Sequence, residues 1–340
     1  MDFSRPHIGT RSMPIKSGMS LEHLLRMLSQ QHSDASTREL IRKYCLETTS
    51  DEMQKKGMEF LYIHGFLSDL EQLIEKNRTS ADTSKQQWAV AYRLVIDSRK
   101  ENIPPIDILR RARNIKTHEP ELKCVVEFVK NTAYFRLNDY GSMGNFLHRL
   151  QQLFDQIDDR LIVSYFKIRL YQNLFIYYWM RNELIIARKY AFRALNKTPN
   201  PMTKVNIHIN LGLTYTFDTF HQGMYHMSEA LKLSQTHRYD DQIYRIKHRN
   251  IPFLAAVFKQ TENMTTDDKS EQAHLAIARG DLPRARALLD EIPIDSPFRL
   301  YYLGLAQQNR DILTQAYNQF IEKRSDFFFS RLPLKALSKL

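Results

Sequence analysis

The stretch that decides the fold reads EQAHLAIARGDLPRARALLD over residues 271–290 and GLAQQNRDILTQAYNQF over residues 304–320. In the first string, small residues lie on both sides of the Gly280-Asp281 pair, ending with Ala285. Small residues at this spacing let two antiparallel helices approach closely, and Gly-Asp forms the turn between them. The stretch therefore predicts a helix pair of the tetratricopeptide type.

The second string repeats this pattern. Gly304, Asp311, Ala316 and Phe320 take equivalent places, and Ala316 follows Ala285 by 31 residues. This period is a little shorter than the roughly 34 residues of a regular tetratricopeptide, so the repeat is degenerate. Such repeats bury their apolar faces only against neighbouring repeats and leave a concave surface that binds peptides or proteins.

Helix-start signals continue the pattern towards the N-terminus. Ser20 precedes an apolar stripe at helical spacing, and two capping boxes follow, Ser36 with Glu39 and Ser68 with Glu71. An aromatic helix over 162–179 pairs with one over 184–195, and no segment reads as a strand. We predict an all-α protein, a right-handed α-solenoid of degenerate tetratricopeptide-like helix pairs.

The domain organisation follows from where these signals begin. Residues 1–17 are interrupted by proline and glycine and read as an irregular leader. Residues 18–340 form the tetratricopeptide-like repeat domain. No apolar run approaches the roughly 18–20 residues that span a bilayer, and the leader lacks the apolar core of a signal peptide. We expect a cytoplasmic protein with no membrane contact, whose Cys45 and Cys124 are buried free thiols.

Catalytic and metal-binding signatures are missing from the sequence. It contains no glycine-rich phosphate loop, no Cys-x-x-Cys pair and no His-Glu-x-x-His motif. His221 and His226 are five residues apart, which places them on different faces of a helix. We expect no enzyme activity, no cofactor and no metal. The formal net charge of +11 favours anionic partners without defining the fold.

The aromatic run in the predicted long helix has two interpretations. It contains Tyr165, Phe166, Tyr171, Phe175, Tyr177, Tyr178 and Trp179, followed by Met180. These side chains either fill the core of the repeats or line the concave groove and stack on a bound peptide. The sequence leaves both open.

Several short strings together resemble the AimR family, the arbitrium peptide receptors with which temperate phages decide between lysis and lysogeny. Their order and spacing across residues 19–340 carry the resemblance. They are Arg42-Lys43-Tyr44-Cys45-Leu46, Asn114-Ile115-Lys116-Thr117, Glu271-Gln272-Ala273-His274, Tyr301-Tyr302-Leu303 with Gln308-Asn309, and Asp326-Phe327-Phe328 with Arg331-Leu332-Pro333-Leu334.

The resemblance implies a helical superhelix, usually homodimeric, that follows an N-terminal helix-turn-helix. In the family, a short peptide binds the concave groove and shifts the receptor away from its DNA-competent state. Residues 1–19 are too short and too broken for a helix-turn-helix, so we do not expect specific DNA binding. Family members also continue beyond the position of Leu340 with a segment used in dimerisation.

The resemblance also proposes groove residues. Asp326 and Phe328 match family groove positions, where Asp326 would pair with a basic group of the peptide and Phe328 would pack on its apolar part. The positions of the family's peptide-clamping Asn and Arg residues fall on Ile176, Met180, Met202 and Leu213. Lys204 is available for a peptide carboxylate, and a shift in register brings Lys204 or Asn206 into the groove.

Two functional hypotheses follow. The first is an AimR-like regulatory receptor that binds a short communication peptide in its concave face and controls lysis–lysogeny gene expression. The second is a protein-interaction module without a small ligand, which sequesters a regulator or forms heterodimers with a full-length family member. Partners are then a peptide or protein segment in the groove, and a second family chain in a homodimer or heterodimer.

Overall fold

The computed structural model describes residues 19–340, so the predicted leader over residues 1–17 lies outside the described residues. Every regular element of the described chain is helical, which confirms the predicted all-α class. The N-terminal elements are α1 (Leu21–Ser29), α2 (Asp34–Glu47), α3 (Asp51–His64), α4 (Leu67–Arg78), α5 (Thr83–Lys100), α6 (Pro105–Arg113), α7 (Pro120–Arg136), a 3₁₀ turn (Ser142–Asn145) and α8 (Phe146–Phe154).

The C-terminal elements begin with the longest helix of the described chain. They are α9 (Arg160–Met180), α10 (Leu184–Lys197), α11 (Pro201–Thr214), α12 (Phe220–Thr236), α13 (Asp240–Arg245), a π segment (Ile246–Asn250), α14 (Ile251–Val257), α15 (Lys269–Arg279), α16 (Leu282–Asp290), α17 (Pro297–Gln307), α18 (Arg310–Asn318), a second π segment (Gln319–Lys323) and α19 (Arg331–Leu337). Consecutive helices pack as pairs, most extensively α9 with α10 and α11 with α12.

The helix pair predicted from the C-terminal stretch is present in α15 and α16. Gly280 ends α15 in the left-handed conformation at φ 84°, which glycine adopts without steric cost. The side chain of Asp281 then accepts the N–H of Arg284, 3.2 Å away, and caps α16. The predicted Gly-Asp turn between two antiparallel helices is confirmed.

The two predicted capping boxes are wrong. The N–H of Ser36 donates to the hydroxyl of Ser33, which caps α2 three residues earlier and leaves Ser36 inside the helix. Gly65 ends α3 in the left-handed conformation, and α4 starts two residues later without a side-chain cap. Ser68 therefore lies inside the first turn of α4. In both cases a helix start further upstream removes the serine from the cap.

Glycines set the distance between α11 and α12. A β-carbon added to Gly212 would lie 2.9 Å from the backbone oxygen of Gly223 and 2.8 Å from the methyl carbon of Met227. Real β-carbons are not found this close, so these two helices approach closely only because glycine occupies the contact. The close approach fixes the position of the C-terminal end of α11.

The buried side chains form two large apolar cores that meet on α9. The first core runs from Leu21 to Ile168, and the second runs from Phe175 to Ala336. The N-terminal part of α9 belongs to the first core and its C-terminal part belongs to the second. α9 is therefore one continuous helix shared by both halves of the described chain.

A buried ion pair holds α9 against the N-terminal half. Nη1 of Arg169 lies 2.9 Å from Oε2 of Glu59 on α3, and that carboxylate also accepts the hydroxyl of Tyr92. The guanidinium carbon is 4.7 Å from the ring centre of Tyr62 and 4.4 Å from that of Phe128. Glu59 is fully buried and Arg169 is 6% exposed. The pair joins α3, α5 and α9 at one point.

Cys45 and Cys124 are both buried free thiols, as predicted. Burial raises the pKa of Cys45 to about 12 and also raises the pKa of Cys124. Over residues 19–340, none of the helices is both long enough and apolar enough to span a bilayer.

Candidate functional site

The C-terminal half carries a set of aromatic side chains that converge on one segment of the chain. Phe328 lies with its ring centre 5.8 Å from that of Trp179 and 5.0 Å from that of Phe217. The ring centre of the neighbouring Phe329 lies 6.0 Å from that of Phe253 and 5.0 Å from that of Phe298. We call the surface formed by Trp179, Phe217, Phe253 and Phe298 the inner face.

Backbone contacts hold this segment against the end of α9. The carbonyl oxygen of Met180 accepts the N–H of Phe327 at 2.8 Å and the N–H of Phe328 at 3.2 Å. The carbonyl oxygen of Arg324 accepts the N–H of Tyr140 at 3.1 Å. The chain therefore returns across the inner face after the last helix pair and joins elements that are far apart in sequence.

The structure places Asp326 and Phe328 inside this contact. Asp326 is 2% exposed, and its Oδ1 accepts the N–H of Phe329 at 2.8 Å. Burial raises the pKa of Asp326 to about 7, against the opposing effects of that hydrogen bond and of the charge of Arg324. Phe328 is fully buried. In this fold Asp326 and Phe328 are core residues, and neither offers surface to a ligand.

The four predicted clamp positions divide into two groups. Met180 is buried and meets the C-terminal segment through its carbonyl group. Ile176, Met202 and Leu213 are partly exposed, and Ile176 and Leu213 also pack against the second core. Of these four positions, Ile176, Met202 and Leu213 therefore leave apolar surface accessible.

Beyond its partly exposed first turn, helix α11 has one narrow accessible stripe. Val205, Ile207, Ile209 and Leu211 are buried, whereas Asn206 and its neighbours at helical spacing, Asn210 and Leu213, are partly exposed. Residues four and three apart lie on the same side of a helix, so these three side chains form a single row. We call this row the α11 stripe. It contains Asn206 and Leu213 from the predicted set, and it adds Asn210, which was not predicted from the sequence.

Lys204 lies on α11 beside His208. Its charge contributes to lowering the pKa of His208, after the larger effect of burial. His208 in turn faces His226 of α12, with 3.1 Å between their Nδ1 atoms. The spacing of His221 and His226 does not reveal this pairing, because a contact between helices cannot be seen in the spacing of one helix.

A cavity of about 470 Å³ adjoins Thr216 and Phe217, which follow α11 and its stripe in the chain. This volume falls within the roughly 300–1,000 Å³ range of ligand pockets. Its walls come from the chain after α11, from α14 and the residues after it, and from α15, α17 and α19. The lining residues are Thr216, Phe217, Ala256, Val257, Phe258, Lys259, His274, Ile277, Ala278, Tyr301, Leu305, Leu332, Lys335, Ala336 and Lys339.

The cavity combines an apolar wall with three lysines. Nζ of Lys335 lies 4.7 Å from the ring centre of Phe217. The pKa of Lys335 is lowered, first by burial and then by the nearby charges of Arg331 and Lys339. Of the lysines in the wall, Lys335 and Lys339 are four residues apart, and Lys259 joins them from the end of α14. These three residues were not predicted from the sequence.

Comparison with known proteins places the chain in a family. Residues 37–339 match the family described as AimR transcriptional regulator-like. The chain is 22% identical over 344 residues to the AimR transcriptional regulator of Bacillus phage phi3T, covering 96% of this chain and 88% of that protein. It is 21% identical over 243 residues to an uncharacterized protein of Bacillus anthracis, covering 68% of this chain and 88% of that protein.

Two solved structures share the fold. A structure of phAimR with a ligand aligns at a TM-score of 0.79 and 21% identity, covering 95% of this chain and 98% of the other. A selenomethionine structure of phAimR aligns at a TM-score of 0.65 and 21% identity, covering 93% and 84%. Together with the family match over most of the chain, this likeness confirms the resemblance seen in the sequence strings. The chain belongs to the AimR transcriptional regulator-like family.

Proposed function

We propose that this chain is an AimR-like regulatory receptor that binds a short peptide in its concave face and thereby controls the choice between lysis and lysogeny. The observation that carries the proposal is the cavity beside Phe217, because its walls come from segments between Thr216 and Lys339. A ligand in such a cavity contacts several helix pairs at once and changes their relative positions.

The α11 stripe supports a peptide rather than a compact ligand. Between Asn206 and Leu213 the helix rises by about 10 Å, which is the span of roughly three extended residues. The carboxamides of Asn206 and Asn210 offer both donors and acceptors, which suit a peptide backbone. With one or two further residues in the cavity, the expected ligand has roughly five residues.

The predicted residues Asp326 and Phe328 take an indirect role in this proposal. They seat the C-terminal segment on the inner face, next to the cavity wall that α19 supplies. Ile176, Met202 and Leu213 provide apolar contact beside the amides, and Lys204 stays close to the stripe on α11. The peptide contacts are then Asn206, Asn210 and the cavity.

A selection from random acetylated pentapeptides tests the proposal. The chain is immobilised, bound peptides are identified by mass spectrometry, and their affinities are measured by calorimetry. Replacing Asn206 and Asn210 by alanine should weaken the selected peptides at least tenfold, because each amide makes hydrogen bonds worth about 1 kcal/mol. Asn196→Ala, on an exposed position of α10, is the matched control. No enriched peptide, or equal affinity for the double variant, would contradict the proposal.

A further inference from the structure

Helix α10 exposes several large apolar side chains. Ile185 is 87% exposed, the highest value among the large apolar side chains of the described chain, and Ile186 and Phe192 of the same helix are 39% and 42% exposed. Tyr225 on α12 is 60% exposed. The ring centres of Phe192 and Tyr225 lie 6.0 Å and 5.2 Å from that of the buried His226, so the apolar surface continues from α10 onto α12. A continuous apolar surface of this kind marks an interaction site, whereas single exposed apolar side chains do not.

Three of the exposed side chains on α10 follow helical spacing. Ile185, Lys189 and Phe192 are four and three residues apart, so they lie on one side of the helix. We call these three residues the α10 row. It carries an apolar side chain at each end, about 10 Å apart along the helix, and an ammonium group between them. No residue of α10 or α12 lines the cavity beside Phe217, so the row is separate from the proposed peptide site.

The charge around the α10 row is almost entirely positive. α10 contains four arginines and lysines in its sequence LIIARKYAFRALNK and no aspartate or glutamate. Arg188 pairs with Asp218, whereas the other three, which include Lys189, are exposed and belong to no ion pair within the described chain. α12 contributes one acid, the partly buried Glu229, whose charge opposes the lowering of the pKa of His208. The exposed charges need no counter-ion of their own, but they select which partner can cover the apolar surface.

We infer that the α10 row docks an acidic amphipathic helix of a partner protein. A helix laid along α10 presents one face at intervals of three and four residues, so that two apolar residues seven positions apart meet Ile185 and Phe192. An aspartate or glutamate between them meets Lys189, and the ring of Tyr225 covers the edge of the contact towards α12. The inference goes beyond the proposed peptide receptor and does not depend on it.

Four other occupants fit these observations less well. A second copy of this chain, related by a two-fold axis through the row, would place the basic surface of α10 against itself. Residues 1–18 carry three basic residues and one acid, so they also lack the required charge. An anionic membrane would take up Ile185 and Phe192 only by carrying the ammonium group of Lys189 below the lipid headgroups. DNA matches the positive charge but offers no apolar partner for Ile185.

A library of displayed helical peptides tests the inference. Each peptide has about 18 residues, enough to cover the 14 residues of α10, and one face of the helix is randomised. The wild-type chain is the target, and peptides that also bind Ile185→Asn are removed, which discards any that occupy another site. We expect the enriched peptides to share two apolar residues seven positions apart with an aspartate or glutamate between them. Enrichment of peptides without the acid, or no enrichment, would contradict the inference.

Synthetic copies of an enriched peptide are then titrated by fluorescence anisotropy. Ile185→Asn and Phe192→Asn should each weaken binding at least tenfold, because each removes an apolar contact at one end of the row. Lys189→Glu should weaken it about tenfold, and a peptide with lysine in place of its acid should recover most of that affinity. Ile106→Asn on α6 and Lys43→Glu on α2, both at exposed positions, are the matched controls and should change the affinity less than twofold.

Thermal melts of the variants establish that they remain folded, as expected for exposed side chains. Equal affinity of the wild type and Phe192→Asn, or failure of the charge-exchanged peptide to recover binding to Lys189→Glu, would overturn the inference. Binding of phosphatidylserine vesicles or of a DNA duplex, or self-association in sedimentation, that Ile185→Asn abolishes would assign the surface to another occupant and overturn it as well. None of these outcomes affects the proposed peptide receptor, because neither α10 nor α12 lines its cavity.

Discussion

Replacing Arg169 by methionine tests the contact that joins α9 to the N-terminal half. The variant leaves Glu59 fully buried and without its cation, so that only the hydroxyl of Tyr92 remains to stabilise the carboxylate. Removing one partner of a buried ion pair costs about 3–5 kcal/mol, because the other charge stays in a medium of low polarity. The cation contacts with the rings of Tyr62 and Phe128 are lost as well.

The expected change in melting temperature follows from the size of the chain. An unfolding entropy of about 2.1 cal/mol/K per residue gives about 0.7 kcal/mol/K for 340 residues. A loss of 3–5 kcal/mol therefore lowers the melting temperature by about 4–7 °C if the chain unfolds in one step. Calorimetry measures this shift, and urea titration measures the free energy of unfolding independently.

Two controls separate an uncompensated charge from simple loss of packing. Arg149→Met removes an exposed arginine whose Nη1 lies 3.5 Å from Oε2 of Glu127. This variant should lower the free energy of unfolding by less than about 1 kcal/mol. The double variant Glu59→Met with Arg169→Met removes both charges, so it should be clearly more stable than Arg169→Met alone. A double variant as unstable as the single one, or a single variant within 1 kcal/mol of the wild type, would refute the reasoning.

Three further predictions concern the C-terminal half. Gly212→Ala should destabilise the chain by about 1–3 kcal/mol in urea titration, since its new methyl group would clash with α12; unchanged stability would show that the two helices can separate. As the pH drops from about 6.5 towards 4, the free energy of unfolding of the wild type should fall relative to that of His226→Gln, because burial, with the charges of His208 and Arg188, lowers the pKa of His226 to about 4 and protons therefore bind the unfolded chain first; the opposite effect of Asp326 is common to both chains and cancels, and a difference that does not change with pH would contradict the assigned burial of His226. Phe328→Ala should cost about 3–5 kcal/mol in thermal melts without ligand, whereas Phe327→Ala, at a position 46% exposed, should cost less than about 1 kcal/mol; equal losses would contradict the assigned burial.

The fold could be predicted from the sequence wherever the signal is local. The turn at Gly280 and Asp281 needs only two adjacent residues, one that accepts positive φ and one that caps a helix. The capping boxes were less secure because several serines near a helix start compete for the same N–H groups. Ser33 caps α2 in place of Ser36, and no property of Ser36 itself reveals this.

The candidate site was harder to predict because its contacts join distant parts of the chain. The burial of Phe328 depends on Trp179 and Phe217, more than one hundred residues away. Lys335 and Lys339 are visible as a pair with helical spacing, yet nothing in the sequence brings Lys259 to the same cavity. Family resemblance supplied Asp326 and Phe328 as groove positions, and only the packing shows that they fill the core.

The continuity of α9 has a mechanical consequence. Its 21 residues form a rod about 30 Å long, with the C-terminal segment seated at Met180 and the buried ion pair at Arg169. A helix this well packed moves as a stiff body, so a tilt of about 5° at one end displaces the other by about 3 Å. α9 thus couples the two cores mechanically. A displacement of the segment around Phe328 would therefore be carried to the N-terminal helices through α9 as one body.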